Sequence, residues 1–355
     1  EDVPGGMMRL GIPAYRLPHD VLQREIQEIL DLGVELCTGV TFGRDVTLED
    51  LQRDGYEAVF LAVGCPEGMK LDCPGAEAEG VVDAVQFLRD LALYREPKLG
   101  QRVAVIGGGD TAIDSARSAL RLGADEVHLV YRRTLDEMPA HPKEIEEAAH
   151  EGIQFHFLAA PKEVLVEDGR VAGLVCQRMT LGDFDRSGRR RPVPVEGAEF
   201  TLDVETVIPA IGQQIETTYL DVEVEKGKVR VDRRTLSTSL PHVFAGGDCT
   251  AGPMTVVDAI ADGHRAAQAI HSYLSGEPMP RPKKRAKTRV PEEVLIQLEE
   301  RAEEEQPAAK PQRIPDAYRC RGFAEVELGF SFPVACREAS RCLHCDYVPL
   351  EQDED

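Results

Sequence analysis

Residues 102–133 restrict the possible folds more than any other stretch. Arg102-Val103-Ala104-Val105-Ile106 is an unbroken, mostly apolar run of the length of a strand buried on both faces. It runs straight into Gly107-Gly108-Gly109-Asp110-Thr111-Ala112. Helical spacing follows at Ile113, Ala116, Ala119 and Leu120, and then a second strand pattern from Glu126 to Tyr131. Strand, glycine turn, helix and strand in that order make a βαβ unit, which requires a parallel sheet with a crossover helix. A plain Gly-rich turn explains the glycines but not their flanks.

The turn matches G-x-G-x-x-A. Gly107 permits the tight bend, Gly109 lets backbone approach a pyrophosphate, and Ala112 allows helix and strand to pack closely. The free N–H groups at Asp110 and Thr111 present the positive end of the helix to an anion. A site for NAD normally carries Asp or Glu at the end of the second strand, about 20 residues on, to hold the ribose 2′-hydroxyl. This chain has Tyr131-Arg132-Arg133 there. Two guanidinium groups suit a 2′-phosphate that a carboxylate would repel. Solvated surface charge is the weaker reading in this context. The expected ligand is NADP(H), on Gly107, Gly109, Asp110, Thr111, Ala112, Arg132 and Arg133.

Around this unit the chain divides by pattern. Residues 1–95 carry helical spacing at Val21, Ile26, Ile29 and Leu30, then a short apolar strand from Ala58 to Val63 that ends in Gly64. After the βαβ unit, Asp168-Gly169 and Ser187-Gly188 separate β-prone runs, which predicts hairpins in an antiparallel meander before a further strand from Glu205 to Ile211. Val243-Phe244-Ala245-Gly246-Gly247-Asp248 and the run from Thr255 to Tyr273 read as strand, glycine turn and helix. Beyond Gly276 the chain turns Pro-rich and charged, an extended linker over 276–317 with one short helix near Val290–Glu305.

The charge balance, 41 Lys and Arg against 63 Asp and Glu for a net -22, argues against nucleic-acid binding. No apolar run is long enough to span a membrane. The start, Glu1-Asp2-Val3-Pro4-Gly5-Gly6, has neither the basic flank nor the apolar stretch of a signal peptide. Nine cysteines without small-scaffold spacing predict reduced thiols and a cytoplasmic location.

The second glycine turn admits two readings on chemistry alone. Gly247 and the exposed start of a helix at Thr255, Val256 and Val257 suit a ligand with an electron-rich ring, and Asp248 suits ligand hydroxyls. A tight strand–helix turn capped by Asp accounts for the residues nearly as well. A wider resemblance separates the two. Gly5 to Pro18 (GGMMRLGIPAYRLP), Phe60-Leu61-Ala62-Val63-Gly64, Val130-Tyr131-Arg132-Arg133 with Glu137-Met138-Pro139-Ala140, Pro209-Ala210-Ile211-Gly212-Gln213, and Phe244 to Ala267 occur in this order. Together they resemble the small (β) subunit of NADPH-dependent glutamate synthase and its relatives over nearly the whole chain. The family includes electron-bifurcating ferredoxin–NADP transhydrogenase subunits and the flavin portion of dihydropyrimidine dehydrogenase.

The resemblance implies FAD as a second cofactor, at Gly6, Gly64, Gly247, Asp248 and the Thr255–Val257 helix start, with Gly212 also at the cofactors. It implies an α/β fold of two Rossmann-like, three-layer domains, an antiparallel meander and an extended C-terminal tail. The FAD-binding domain would be discontinuous (1–95 and 239–275) and the NADP(H)-binding domain 96–238, with 276–355 as linker and tail. Family members also carry an earlier G-x-G-x-x-G unit for the FAD adenosine and a cysteine-rich iron–sulfur domain. Neither is in this sequence, so the first domain is expected to be incomplete. A longer polypeptide or a partner chain would then supply the rest.

The tail adds Cys342-x-x-Cys345, which has metal-ligand spacing, with Cys320 and Cys336 able to complete four thiolates for an iron–sulfur cluster or zinc. Ordinary thiols explain Cys320 and Cys336 equally well. Cys37, Cys65, Cys73 and Cys176 read as small core residues, and the nine His show no ligand spacing. The expected function is an oxidoreductase module passing hydride between NADPH and FAD and exchanging electrons with a partner's iron–sulfur centres. No catalytic acid or base is expected. The reverse direction, ferredoxin-driven NADP reduction with or without bifurcation, stays open, as does a non-catalytic NADP(H)-binding scaffold. Thioredoxin-reductase-like chemistry is disfavoured because no C-x-x-C lies in the nucleotide domain.

Overall fold

The computed structural model describes residues 1–185, 188–280, 288–303, 307–342, 344 and 347–349. Four strands form an all-parallel sheet in the order Gln154–Phe157, Glu126–Tyr131, Arg102–Ile106, Thr206–Pro209. The strands are apolar on both faces because both faces are covered. Val103, Val105, Val127, Leu129 and Ile208 pack against the helices Ala84–Ala92, Asp110–Arg121 and Pro142–His150 through Phe87, Ile113, Ala116 and Ala148. Ala104, Ile106, Val130 and Val207 face the other way, onto Val164, Val171, Leu174 and Leu202. This period-two division makes three layers: helices, parallel sheet, antiparallel sheet.

The antiparallel layer is the expected meander, Ala159–Glu167, Arg170–Phe184 and Arg190–Leu202. Its first turn is Asp168-Gly169, with φ of 49° and 80°. Two consecutive positive φ values match the type I′ hairpin, in which the turn follows the strand twist.

A second, smaller parallel pair joins Val59–Leu61 to Val243–Ala245, from opposite ends of the sequence. Its core holds Leu48, Leu61, Ile215, Leu220, Val222, Val243 and Cys249. Ser237 bridges to Phe244 on the outer side of Val243–Ala245, while Val59–Leu61 has no further strand beside it among the described residues. The 20-residue helix Val256–Ser275 follows, yet buries only Asp262, Ala266 and Ala269. No described helix is long and apolar enough to cross a membrane.

The chain separates into two compact units, Glu1–Pro278 with Asp316–Glu325, and Met279–Pro315 with Val326–Asp355. The stretch expected as a continuous linker and tail is therefore interrupted. Asp316–Glu325 belongs to the first unit, where Arg319 reaches Glu147 at 2.6 Å and the Phe323 ring lies 6.2 Å from that of Tyr15. The second unit has structure of its own. Thr288–Val290 pairs with Tyr347–Pro349, Gln312–Arg313 with Glu327–Gly329, and helices run over Glu292–Glu303 and Phe332–Ala339.

Candidate functional site

Gly107, Gly108 and Gly109 are required for three different reasons. Gly107 has φ 147°, and a Cβ there would stand 2.3 Å from the Ala210 carbonyl oxygen and 3.2 Å from the Ala112 Cβ. A Cβ on Gly108 would enter the Tyr131 ring at 2.5 Å. That ring is fixed by its hydroxyl, which donates to the Glu137 carbonyl at 2.7 Å. A Cβ on Gly109, however, would come no nearer to protein than 3.9 Å, at Pro139. The first two glycines make room for the protein's own packing. The third keeps open the space in front of the helix Asp110–Arg121, whose first-turn N–H groups have no carbonyl four residues back to accept them. Open backbone before a positive helix end fits a pyrophosphate.

Gly212 follows the neighbouring strand Thr206–Pro209, with φ 139°, and accepts from the Met69 N–H at 3.0 Å. The Ala210 N–H donates to Ile106, next to Gly107. Gly212 and the glycine turn thus leave the same, carboxyl, edge of the sheet.

The two arginines after Tyr131 part company. Arg132 is exposed. Arg133 is 3% exposed, pairs with Asp185 at 2.8 Å and donates through Nε to the Arg190 carbonyl at 2.7 Å. Both lie in the bend after the strand Glu126–Tyr131, where one stays exposed and the other is engaged by the meander.

The second glycine turn leaves the carboxyl end of Val243–Ala245, and Gly64 leaves that of its parallel neighbour. Both have left-handed φ, 72° at Gly247 and 68° at Gly64, and neither would place a Cβ closer than 3.9 Å to another atom. The two loops touch, since the Cys65 thiol donates to the Asp248 carbonyl at 3.3 Å. Asp248 accepts from the Met254 N–H at 3.0 Å, and partial burial pushes its carboxyl above the ordinary range. Thr255 caps the next helix in a reciprocal box with Asp258. Val256 and Val257 stand exposed beside it, Val257 by 74%. Open glycines at the carboxyl ends of paired parallel strands, with uncovered valines at a helix start, fit a flat, partly apolar cofactor. Gly6 lies in a different setting, opening the short helix Gly6–Leu10, which packs on Ala84–Ala92 and His19–Leu30.

Sequence reasoning passed over two acids. Asp262 accepts from the Gly247 N–H at 2.9 Å and so fixes the turn. Its one clue was a carboxylate amid small residues in a helix. Asp114 lies buried on the dinucleotide helix, held by Arg16 Nη1 at 2.7 and 2.8 Å. Burial pushes its carboxyl up to about 6 against the pull of that guanidinium. Beside it the Tyr15 ring lies under Arg121 at 3.9 Å and Arg117 at 4.8 Å, and both arginines pair with Glu151. The Ala14-Tyr15-Arg16 segment thereby fastens the N-terminal region to the helix that carries the first glycine turn.

Of the tail cysteines, Cys320 belongs to the first unit and Cys336 and Cys342 to the second, where both are exposed. Cys345 lies outside the described residues. No group of three or more metal-ligating side chains occurs among the described residues. Cys65 and Cys176 are buried as expected and Cys73 partly so. Cys37 is exposed instead, in a stretch of turns and loop after the helix His19–Leu30.

A sequence profile described as pyridine nucleotide-disulphide oxidoreductase matches residues 9–263. The β subunit of NADP(+)-dependent formate dehydrogenase from Moorella thermoacetica is 46% identical over 365 residues, covering 98% of this chain and 50% of that protein. A putative glutamate synthase [NADPH] small chain from Cereibacter sphaeroides is 36% identical, covering 77% of this chain and 70% of that protein. The chain thus spans half the length of the first relative. Among solved structures, the His57Gln mutant of FprA from Mycobacterium tuberculosis superposes with a TM-score of 0.66 over 78% of this chain and 76% of that one, at 20% identity, a likeness of fold. The chain belongs to the pyridine nucleotide-disulphide oxidoreductase family, among relatives that include the small chains of NADPH-dependent glutamate synthase.

Proposed function

We propose that this chain is the nicotinamide- and flavin-holding module of an electron-transferring oxidoreductase, acting with a partner or with further polypeptide. One observation carries the reading. Two glycine turns leave the carboxyl ends of two separate parallel sheets, and Gly109 in one and Gly64 and Gly247 in the other leave open space where a side chain would stand. NADP(H) would lie on Gly107 to Ala112, with Arg132 toward the 2′-phosphate, within residues 96–238. FAD would lie on Gly64, Gly247, Asp248 and the Thr255–Val257 helix start, within 1–95 and 239–275.

When bound, the nicotinamide and flavin rings supply the hydride donor and acceptor. The chain's own part is positional. The dinucleotide helix steadies the pyrophosphate, Asp248 accepts hydrogen bonds from flavin-side hydroxyls, and the N–H groups at Val256 and Val257 favour electron density on the ring. The relatives' names support NADP(H) as the nicotinamide.

A partner is part of the reading. Among the described residues the strand Val59–Leu61 has an open edge, and Ile29, Leu32, Val34, Leu36 and Val40 are exposed, Leu32 by 84%. Apolar surface of this kind is normally covered. Cys336, Cys342 and Cys345, with a partner's thiolate, are the proposed iron–sulfur or zinc ligands. The free thiols among the described cysteines accord with a cytoplasmic location.

The test is anaerobic spectroscopy of the native protein or complex. A flavin band bleached by NADPH, and more weakly by NADH, is the expected result. A colourless complex that still binds NADPH would instead make it a scaffold. Bleaching by reduced ferredoxin followed by NADP+ reduction would assign the reverse direction.

A further inference from the structure

The proposed 2′-phosphate subsite depends on cations at the end of the strand Glu126–Tyr131, and only one of its two arginines is at liberty to serve. The Arg133 guanidinium is buried, with Nη2 on Asp185 and Nε on the Arg190 carbonyl. Its own carbonyl accepts from the Leu158 N–H at 3.0 Å. To bind a phosphate the buried guanidinium would have to give up both its bonds, to Asp185 and to the Arg190 carbonyl. Asp185 is itself built into the hairpin neck, accepting from the Arg189 N–H at 3.3 Å and exchanging backbone bonds with Arg189 and Gly188.

What Arg133 does achieve is to fix the backbone at Arg190, the first residue of the meander strand Arg190–Leu202, against the bend that follows the strand Glu126–Tyr131. Arg190 is exposed, opposite Phe184 in the hairpin register, with its guanidinium 5.8 Å from the Phe184 ring centroid. The Glu137 carboxyl, which accepts from the Thr134 hydroxyl, is lowered first by that bond and further by Arg190 and Arg133. Glu137 accepts from the Tyr131 hydroxyl through its carbonyl, and the 2.7 Å bond from Arg133 to the Arg190 carbonyl places the Arg190 backbone beside the residue that follows Arg132.

We propose that Arg190, carried in from the antiparallel meander, is the second cationic ligand of the 2′-phosphate beside Arg132, and that Arg133 is a positioning residue that holds Arg190 in place. The proposal rests on the NADP(H) reading. The recognised chemistry is a phosphate monoester on an adenosine ribose, met by two guanidinium forks from different layers of the domain.

The experiment measures dissociation constants of the full protein for 2′,5′-ADP and for 5′-AMP, probes that need no flavin, and for NADPH and NADH. Arg190→Ala should weaken 2′,5′-ADP by about tenfold or more, as expected for loss of one charge-assisted hydrogen-bonding group. It should leave 5′-AMP and NADH unchanged, and Arg190→Lys should restore part of the loss. Arg133→Met should weaken 2′,5′-ADP no further once Arg190 is already Ala, whereas a direct ligand would add its own loss. If Arg132→Ala weakens 2′,5′-ADP while Arg190→Ala does not, the proposal falls and the NADP(H) reading stands. If neither variant changes the preference for NADPH over NADH, both fall. Should Arg133→Met fail to fold, the comparison of Arg190→Ala with Arg190→Lys still decides the role of Arg190.

Discussion

Replacing Arg16 by Met should destabilise the protein in a strongly pH-dependent way. Asp114 is fully buried, and in the folded chain its carboxyl titrates at about 6, against 3.8 ordinarily, with Arg16 still pulling it down. A carboxyl whose folded value is raised binds its proton more tightly folded than unfolded. Stability is therefore lost as pH rises from about 4 to about 6. At ~1.4 kcal/mol per unit the loss levels off near 3 kcal/mol. Without Arg16 the folded value rises further. At pH 8 the stranded carboxyl escapes by taking up a proton, and the two units from 6 to 8 limit this part of the extra cost to about 3 kcal/mol. At pH 5 the native Asp114 is already mostly protonated, so Arg16→Met should cost only about 1 kcal/mol of packing. Glu144, 3.4 Å from Arg16, keeps its pairing with Arg117. The assay is urea unfolding followed by circular dichroism at the two pH values, for Arg16→Met alone and combined with Asp114→Asn. The combination should abolish the pH dependence of the Arg16 effect. An equal cost for the single variant at pH 5 and pH 8 would refute the reasoning.

The glycines of the first turn should separate folding from binding. Gly107→Ala, with a Cβ 2.3 Å from the Ala210 oxygen, should lower the melting temperature by several degrees and abolish NADPH binding. Gly109→Ala should leave melting nearly unchanged, yet raise the NADPH dissociation constant at least tenfold, as titration calorimetry would show. Asp262→Ala removes the acceptor of the Gly247 N–H and should cost about 1–3 kcal/mol. It should also release flavin more readily on ultrafiltration. Substituting Cys342 and Cys345 by Ser should remove iron or zinc, measured by elemental analysis, while the NADPH dissociation constant stays as it was.

The parallel strands and the first glycine turn were legible because each depends on local rules. An unbroken apolar run of strand length predicts a buried parallel strand, and Asp168-Gly169 predicts a hairpin because both residues accept positive φ. The second glycine turn could not be assigned on its own residues, since the Val59–Leu61 strand that completes its cradle lies some 180 residues earlier. Asp316–Glu325 read as tail because the short, charged stretch has no period. Its place in the first unit comes from side chains such as Arg319, whose partner Glu147 lies 172 residues away.

A βαβ unit at 102–133, a turn that suits a pyrophosphate and positive charge after the second strand all follow from residues close together in the chain. What those charges do depends on partners that the fold brings from elsewhere. Arg132 stays exposed while Arg133 is buried, where Asp185, 52 residues on, engages its guanidinium. Likewise Asp114 became a buried, titratable anchor only because Arg16, 98 residues away, folds back to meet it. Backbone conformation follows from neighbours in sequence, but the fate of a charge follows from what the fold brings beside it.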